Sequence, residues 1–431
     1  MAIDIARFGG RALRELEGVD IAGLCSELVK AGGENPPGDV SEVAGLVSDW
    51  LSERGHEARS VEPEPGRVNI LTQVGEGRPS LILMGHMDVV PAGDVGRWSF
   101  EPFCGAVRNG RVLGRGSTDM KGGVACIMAV FHVLSSVVEE VGGQLKLVLT
   151  CDEETGGRFG AGFLAERGFL DADGCFIAEP STPYLAILGE RGLCWLRLVA
   201  RGRPAHGSVP ELGLNAIRLA MEATESIMGL HGREARPPSD VRDVLSGMEE
   251  LVKLAPESLE LEPEAIKAFV RACSRTTVNV GVIKGGTKVN VVPERCEVEF
   301  DIRVPHGSST GQVIELVEQL LPARKGEVEL EVLARVEPSF TSPSSHLFSA
   351  LSSAAEEVMG FAIKKAIMPA CTDAHYLRAR GVPTIIYGPG SIGLAHSYDE
   401  YVLVDHLKLA SRVLCLASVK FLALTGGETP S

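Results

Sequence analysis

The sequence is short of positive charge, because 42 lysines and arginines stand against 57 aspartates and glutamates, for a net charge of −15. Such a surface repels phosphate backbones and anionic lipids, so neither nucleic acid nor membrane partners are expected. No apolar run reaches the roughly 20 residues that cross a bilayer. The charged segment 1–18 also lacks the apolar core of a signal peptide. These absences predict a soluble, cytoplasmic protein.

Several common motifs are missing as well. The ten cysteines are scattered without a Cys-x-x-Cys pair, which favours a reduced compartment over a disulfide framework. There is no Gly-x-Ser-x-Gly, no Walker motif and no internal repeat. Residues 388–393 match Gly-x-Gly-x-x-Gly after a strand. No helix is predicted to open inside these glycines, so a dinucleotide site is not expected.

The 431 residues are enough for two or three domains. In segments 1–187 and 337–431, short apolar runs alternate with helical patterns. This alternation predicts an α/β domain with a mixed, mostly parallel sheet flanked by helices. Segment 188–336 predicts an inserted α+β domain with a four-stranded antiparallel sheet and two helices. Within it, the Pro-, Glu- and Asp-rich segment 232–263 indicates an insertion or a mobile excursion.

Five side chains that commonly bind metal follow a predicted strand or the turn after it. They are His86 in LILMGHMDVVP, Asp119 in GRGSTDMKGG, Glu154 in LVLTCDEETGG, Glu179 in CFIAEP and His396 in IIYGPGSIGLAHSYDE. The carboxyl ends of strands in an open α/β sheet meet at one edge, where ligands bind. Two histidines with several carboxylates suit Zn²⁺, with Co²⁺ or Mn²⁺ as substitutes. Each residue alone has an ordinary explanation, such as a surface loop or a helix cap, and only their joint position predicts a metal site.

The motifs GHMDVVP, GRGSTDMKGG, DEETGG, AEP, RGRPAHGSVP, VNVVPE, DIRVP and AHSYDE together resemble the M20 metallopeptidase family over nearly the whole chain. That family includes acetylornithine deacetylase, succinyl-diaminopimelate desuccinylase, aminoacylase and glutamate carboxypeptidase. The resemblance implies a hydrolase of acyl–amide or peptide bonds with two Zn²⁺ per subunit. It implies that His86 and Glu179 hold one ion, that Glu154 and His396 hold the other, and that Asp119 bridges them.

Two further carboxylates adjoin these positions. Asp88 follows His86 in an extended His-x-Asp, so its carboxylate can accept the second imidazole N–H. The resemblance implies this orienting role for Asp88 and makes Glu153 the general base. It also implies a cis peptide bond between Asp119 and Met120.

The resemblance makes segment 188–336 a lid and dimerisation domain. His206 would then reach the active site of the partner in a homodimer and help stabilise the oxyanion. Asn290 and Arg303 would contact the substrate, and Arg303 is suited to bind a carboxylate bidentately. Arg191 would bind an anion in some relatives, a weaker correspondence.

One further segment, PACTDAHYL, corresponds to a substrate-binding loop. Cys371 in this loop is not expected to be a nucleophile. Its neighbour Thr372 could offer a hydroxyl to the substrate.

Deacylation of an N-acyl amino acid, of the acetylornithine or succinyl-diaminopimelate type, is the first expectation. A carboxypeptidase or dipeptidase is the second. A catalytically silent binding protein on the same fold is a third, disfavoured because all five ligand positions and the base are present. The segment 232–263 adds length beyond a compact desuccinylase, so the acyl group and the amine stay open.

Overall fold

A computed structural model describes residues 4–248, 262–321 and 327–423. The strands in chain order are β1 (Arg59–Val61), β2 (Asn69–Glu76), β3 (Ser80–His86), β4 (Val107–Arg108), β5 (Arg111–Leu113), β6 (Gly143–Thr150), β7 (Gly174–Ile177), β8 (Leu185–Glu190), β9 (Gly192–Arg201), β10 (Thr277–Gly285), β11 (Arg295–Val304), β12 (Val328–Val336), β13 (Ser339–Phe340), β14 (Lys364–Met368), β15 (Thr384–Ile386) and β16 (Tyr401–Leu403). The α-helices are α1 (Ile5–Leu16), α2 (Ile21–Lys30), α3 (Ser41–Ser52), α4 (Gly122–Val141), α5 (Ala161–Glu166), α6 (Ala216–Met228), α7 (Ser239–Met248), α8 (Pro263–Cys273), α9 (Thr310–Leu320), α10 (His346–Met359), α11 (Ala374–Arg378) and α12 (Val404–Leu422).

Within the described ranges, the larger sheet has nine strands in the order β1-β2-β6-β3-β7-β15-β8-β13, and β14 also pairs with β8. Strands β6, β3, β7 and β15 run parallel to one another, while the pairs that flank them towards both ends of the sheet are antiparallel. Every residue of β3 is buried, because helices cover both faces of such a sheet. The predicted mixed, mostly parallel sheet is confirmed.

The smaller sheet is antiparallel, in the order β10-β11-β9-β12. Its strand β11 alternates buried and partly exposed residues, which is the pattern of a sheet covered on one face. Helices α6 and α9 supply that cover through residues such as Leu219 and Val313. The predicted four-stranded sheet with two helices is confirmed, while the domain boundaries at 187/188 and 336/337 stay a prediction.

The segment predicted as an insertion is partly described. Its helix α7 packs on β14, and Val244 of α7 joins the core of the larger sheet, as does Ile266 of α8, the helix that begins where the segment ends. Residues 249–261 lie outside the described residues. The described part of this segment therefore contacts the large sheet rather than only the small one.

The expectation that no segment is long and apolar enough for a membrane span needs correction. The helical stretch Ser117–Val141, which includes α4, passes that test by length and hydropathy. Of its most apolar window, 72% is buried inside the protein, where α4 packs against β6, α1, α2 and α12. A core helix meets the same criteria as a spanning helix because both are apolar all round.

Candidate metal centre

Three neighbouring parallel strands carry the first candidate residues to one edge of the large sheet. His86 is the last residue of β3 and lies opposite Thr150, the last residue of β6. Glu154 follows β6 after a short turn, and Glu179 follows β7, which pairs with β3 on its other side. Since the carboxyl ends of these strands meet at one edge, residues distant in sequence lie side by side.

The five predicted ligand residues do come together, in two groups that share Asp119. In the first group, His86 Nε2 lies 3.3 Å from Asp119 Oδ1 and 3.3 Å from Glu179 Oε1. In the second, His396 Nε2 lies 3.2 Å from Asp119 Oδ2 and 3.1 Å from Glu154 Oε2. Within each group all candidate ligand atoms lie within 4.8 Å of one another. Asp119 thus presents one oxygen to each group, as a bridging ligand does.

The two groups differ in depth. The side chains of His86 and Glu179 are 1% and 5% exposed, and we call their group with Asp119 the buried half. The side chain of His396 is 53% exposed, and we call its group with Glu154 and Asp119 the open half.

The centre concentrates negative charge around two imidazoles. Burial, together with the carboxylates of Asp119 and Glu154 and against the effect of His86, raises the pKa of Glu179 to about 8. Hydrogen bonds with Asp119 and Glu154 raise the pKa of His396 to about 10. Burial alone would lower the pKa of His86, but the carboxylates around it hold that pKa well above its usual value. These three shifts have the sign produced by carboxylates crowded together without enough positive charge.

The hydrogen bonding of His86 tests whether a metal fits this charge. Its Nδ1 lies 2.9 Å from the backbone carbonyl of Asp88, so Nδ1–H donates there, and in the neutral form of the ring an Nε2 lone pair faces the carboxylates. Among the described residues, this buried Nε2 has no hydrogen-bond partner. A lone pair facing two carboxylate oxygens is satisfied only by a proton or a cation. The donor set of imidazole nitrogen and carboxylate oxygen is one that Zn²⁺ accepts.

Asp88 orients His86 differently from the expectation. The backbone carbonyl of Asp88 takes the imidazole N–H, while its carboxylate Oδ1 stays 3.6 Å from Nδ1. That carboxylate instead accepts the backbone N–H groups of Glu153 and Glu154, both at 3.2 Å, and the amide of Asn35 at 2.8 Å. Asp88 therefore holds the turn that carries the predicted base and one predicted ligand.

Glu153, the predicted base, lies beside the buried half. Its Oε2 is 4.0 Å from His86 Nε2, and burial together with the charge of Glu179 holds its pKa well above the usual value. Behind it lies a carboxylate that the sequence analysis did not single out, Asp373, which accepts a hydrogen bond from Thr150 Oγ1 at 3.0 Å. Burial raises the pKa of Asp373 to about 7.

The Asp119 turn depends on close packing. Its peptide bond to Met120 is cis, as the resemblance implies. A Cβ at Gly123, in the first turn of α4, would lie 1.9 Å from the carbonyl oxygen of Ala178. Only glycine lets the helix start this close to the chain just before Glu179. Buried Lys121 donates to the carbonyls of Leu28 and Gly32 at the end of α2.

Two of the residues predicted in the lid and dimerisation domain, His206 and Asn290, lie close together. The carbonyl of Asn290 accepts the N–H of Gly207, and His206 bridges to Val291. His206 is exposed, and its Nδ1 accepts from the N–H of Ser208 at 3.2 Å. None of these contacts reaches the metal centre within the part of the chain that is described. Their predicted roles stay predictions.

The predicted substrate arginines are already partly engaged. Arg303 donates from Nε and Nη2 to the carboxylate of Asp301, at 2.8 and 3.1 Å, and its Nη1 points toward Cys371 Sγ at 4.0 Å. Arg191 donates to Thr277 Oγ1 at 3.0 Å and to two backbone carbonyls. Burial lowers the pKa of Arg191 to about 10.

The loop next to these arginines also differs from the expectation. The hydroxyl of Thr372 donates to buried Glu190 at 2.7 Å, an inward contact that leaves it without a free proton for a substrate. Cys371 Sγ donates to the carbonyl of Arg191 at 3.0 Å, and burial raises the pKa of the thiol to about 12. A protonated thiol of this kind is not a nucleophile.

Two residues near the centre escaped the sequence analysis although they stand inside quoted motifs. Arg115 is the second residue of GRGSTD, and Glu400 closes AHSYDE. Both are buried and joined at 2.6 Å. The signal was one further charged residue in each motif, but a charge in a loop more often faces solvent.

Comparison with known proteins gives consistent matches. A family model described as Peptidase family M20/M25/M40 matches residues 82–419. An acetylornithine deacetylase from Vibrio campbellii is 30% identical over 88% of this chain and 92% of its own length. A probable succinyl-diaminopimelate desuccinylase from Staphylococcus epidermidis is 29% identical over 89% of this chain and 93% of its own.

Solved structures extend the likeness to the fold. An M20 family metallo-carboxypeptidase from Sulfolobus solfataricus superposes with a TM-score of 0.75 at 20% identity, over 94% of this chain and all of that one. A di-peptidase from Saccharomyces cerevisiae reaches 0.71 at 14% identity, over 99% of this chain and all of that one. At these identities the structures establish the shared architecture.

Proposed function

The chain belongs to peptidase family M20/M25/M40 and is a metal-dependent amidohydrolase, and from that premise we propose that it is a two-zinc deacylase of N-acyl amino acids. The observation that carries the proposal is the pair of donor groups that share Asp119, each with one histidine and one glutamate. His86 and Glu179 would hold one ion, and Glu154 and His396 the other. Co²⁺ or Mn²⁺ would be chemically acceptable substitutes.

When bound, the metal pair would polarise the scissile carbonyl and acidify the attacking water. Glu153 would take the proton from that water and deliver it to the leaving amine. Burial and Glu179 raise the pKa of Glu153, which moves its proton affinity toward that of a base working near neutral pH. Asp88 would keep Glu153 in place through the backbone N–H that it accepts.

We propose that His206 completes the site of a partner subunit in a homodimer. The imidazole of His206 is exposed, with Nδ1 2.6 Å from Ser208 Oγ and 3.2 Å from the Ser208 backbone nitrogen, and a ring N–H would donate to the oxyanion. Strand β10 supports a dimer because it is an edge of the small sheet with Val280, Val282 and Ile283 exposed, and an apolar edge calls for a cover. Lid movement would bring His206 to the substrate.

Arg303 would receive the substrate carboxylate through Nη1, the arm that Asp301 leaves free. Asn290 would add a contact from the same domain. Because Arg191 and Thr372 are occupied by internal hydrogen bonds, we leave them out of the substrate site. The ten free cysteines support a reducing, cytoplasmic location.

The proposal is tested by a hydrolysis screen of the purified, zinc-loaded protein. The panel holds acetylornithine, succinyl-diaminopimelate, other N-acyl amino acids, and dipeptides with a free carboxylate. We expect release of the amine from an acyl amino acid, with turnover by Glu153→Ala lowered about 10²–10⁴-fold at unchanged metal content.

Two outcomes would replace this proposal. Preference for dipeptides would make the protein a carboxypeptidase or dipeptidase, the activities in the names of the solved structures above. Metal and ligand binding without turnover on any substrate would indicate a silent binding protein.

A further inference from the structure

A buried ion pair of Arg115 and Glu400 joins the two chain segments that carry Asp119 and His396. Arg115 is 3% exposed and Glu400 is fully buried. Arg115 Nη1 lies 2.6 Å from Glu400 Oε2, and the guanidinium lies over the ring of Trp98, 5.0 Å from its centre. The pair uses none of the atoms that form the candidate metal centre, and the proposed mechanism gives it no task.

Glu400 acts on the Asp119 side. Its Oε1 accepts the backbone N–H of Thr118 at 2.9 Å and that of Asp119 itself at 3.1 Å. The backbone carbonyl of Glu400 also accepts the N–H of Gly114 at 2.9 Å. These bonds fix the backbone from which the shared carboxylate projects.

Arg115 acts on the His396 side. Its Nη1 donates to the carbonyl of Ser397 at 3.0 Å, and its Nη2 donates to the carbonyl of His396 at 3.4 Å. His396 needs such support, because its φ of 61° is a conformation that residues other than glycine rarely adopt. Its side chain is 53% exposed, so packing does little to hold it.

We propose that Arg115 and Glu400 are positioning residues that set the distance between Asp119 and His396 and so maintain the open half of the centre. The inference rests on the proposed function, since it assigns the open half a metal ion. One guanidinium reaches Glu400 and both carbonyls because its donors form a planar fork, which a lysine ammonium cannot reproduce.

The test uses Arg115→Lys, which keeps the charge, and Glu400→Gln, which keeps an oxygen for the two N–H groups. The matched control is Arg378→Lys, since Arg378 and Glu190 form another buried pair at 3.1 Å in the large-sheet core, without contact to the five donors. Zinc content is measured during dialysis against increasing chelator. We expect Arg115→Lys to lose one of two ions at least about 10-fold more readily than the wild type, and Glu400→Gln to lose the same ion. The control should keep both.

Two results would overturn the inference. Wild-type retention of both ions by Arg115→Lys and Glu400→Gln would remove any positioning role. Equal loss of the same ion by Arg378→Lys would reduce the effect to general destabilisation.

A second measurement needs no metal and tests the positioning role independently of the proposed function. Hydrogen–deuterium exchange of the metal-free protein should be faster at residues 394–400 in Arg115→Lys and at residues 117–120 in Glu400→Gln. Both segments should exchange as in the wild type in Arg378→Lys. If the wild type bound no zinc, the proposed function would fall while these exchange changes still supported the positioning. Unchanged exchange in both variants would refute it.

Discussion

The two halves of the candidate centre share Asp119 but are built in different ways. Two residues of the buried half lie at strand ends, because His86 is the last residue of β3 and Glu179 follows β7. These two strands pair with each other in the core. The histidine of the open half, His396, lies in a loop. It has a left-handed backbone conformation, and about half of its side chain is exposed. Core packing fixes the first half directly. The second depends on hydrogen bonds between loops, so the two should differ in affinity, rigidity and tolerance to substitution.

The largest effect should come from a residue that serves both halves. Glu153→Ala should lower turnover by about 10²–10⁴-fold, the contribution of a positioned base, because alanine cannot take the proton from the attacking water. Zinc content should stay at the wild-type value in both halves, as Glu153 is not among the predicted ligands. Steady-state kinetics with elemental analysis check this. Normal turnover would eliminate Glu153 as the base.

Loss of His206 should cost somewhat less. His206→Ala should lower turnover by about 10²–10³-fold, the cost of removing one oxyanion donor, while both metal halves stay intact. Subunits carrying Glu153→Ala are then mixed with subunits carrying His206→Ala. If His206 acts in the partner, one of the two sites in the mixed dimer recovers activity. Absence of recovery would mean that each site belongs to one subunit.

The contrast in depth should appear as a difference in metal affinity. His396→Ala should lose one ion and keep the other, whereas His86→Ala should weaken both, because its empty position leaves buried carboxylates facing each other. We expect at least about a 10-fold loss of affinity in the affected half, measured by chelator competition. Simultaneous loss of both ions from His396→Ala would abolish the distinction between the halves.

The smallest effect is expected from a histidine pair outside the centre. Its pH dependence shows how acid changes the stability of the fold without any change in metal binding. His56 Nε2 and His132 Nδ1 lie 3.0 Å apart, and burial lowers the pKa of both. The unfolded chain therefore binds protons at these two histidines more readily than the folded chain does. The contribution of the pair to the free energy of unfolding is complete above about pH 6.5 and falls as the pH decreases through this value. Denaturant unfolding of the metal-free protein from pH 8 to 5.5 measures this slope. His56→Gln should flatten it, and an unchanged slope would assign it to other groups.

The sequence predicted the large-sheet edge well because the information is local. Each fully apolar run that ends in His86 or just before Glu179 predicts both a strand and the position of a ligand at its end. Parallel pairing of these strands then brings the ligands to the same edge of the sheet. Strands β2, β8 and β14 were not predicted, since their patterns are weak and pairing partners far along the chain define them. The hydrogen bonds of Asp88 escaped prediction for the same reason, because Asn35 and the 153–154 turn reach it only in the folded chain.

The residues of the smaller sheet show the limit of such reasoning. The motif around His206 predicts a role, but one chain by itself does not bring that side chain to a metal centre. The engagement of Arg303 by Asp301 two residues earlier is visible only when the strand geometry is known. The inward bond of Thr372 likewise needs Glu190, which is remote in sequence.

Because of the order of the predicted ligands along the chain, the donors of the two halves are synthesised at different times. His86, Asp119 and Glu179 leave the ribosome before any part of the smaller sheet, whereas His396 follows after the whole of it. During synthesis, the three donors of the buried half are therefore present while the open half still lacks its histidine. A chain stalled before residue 396 would have His86, Asp119 and Glu179 but would lack the second histidine of the centre.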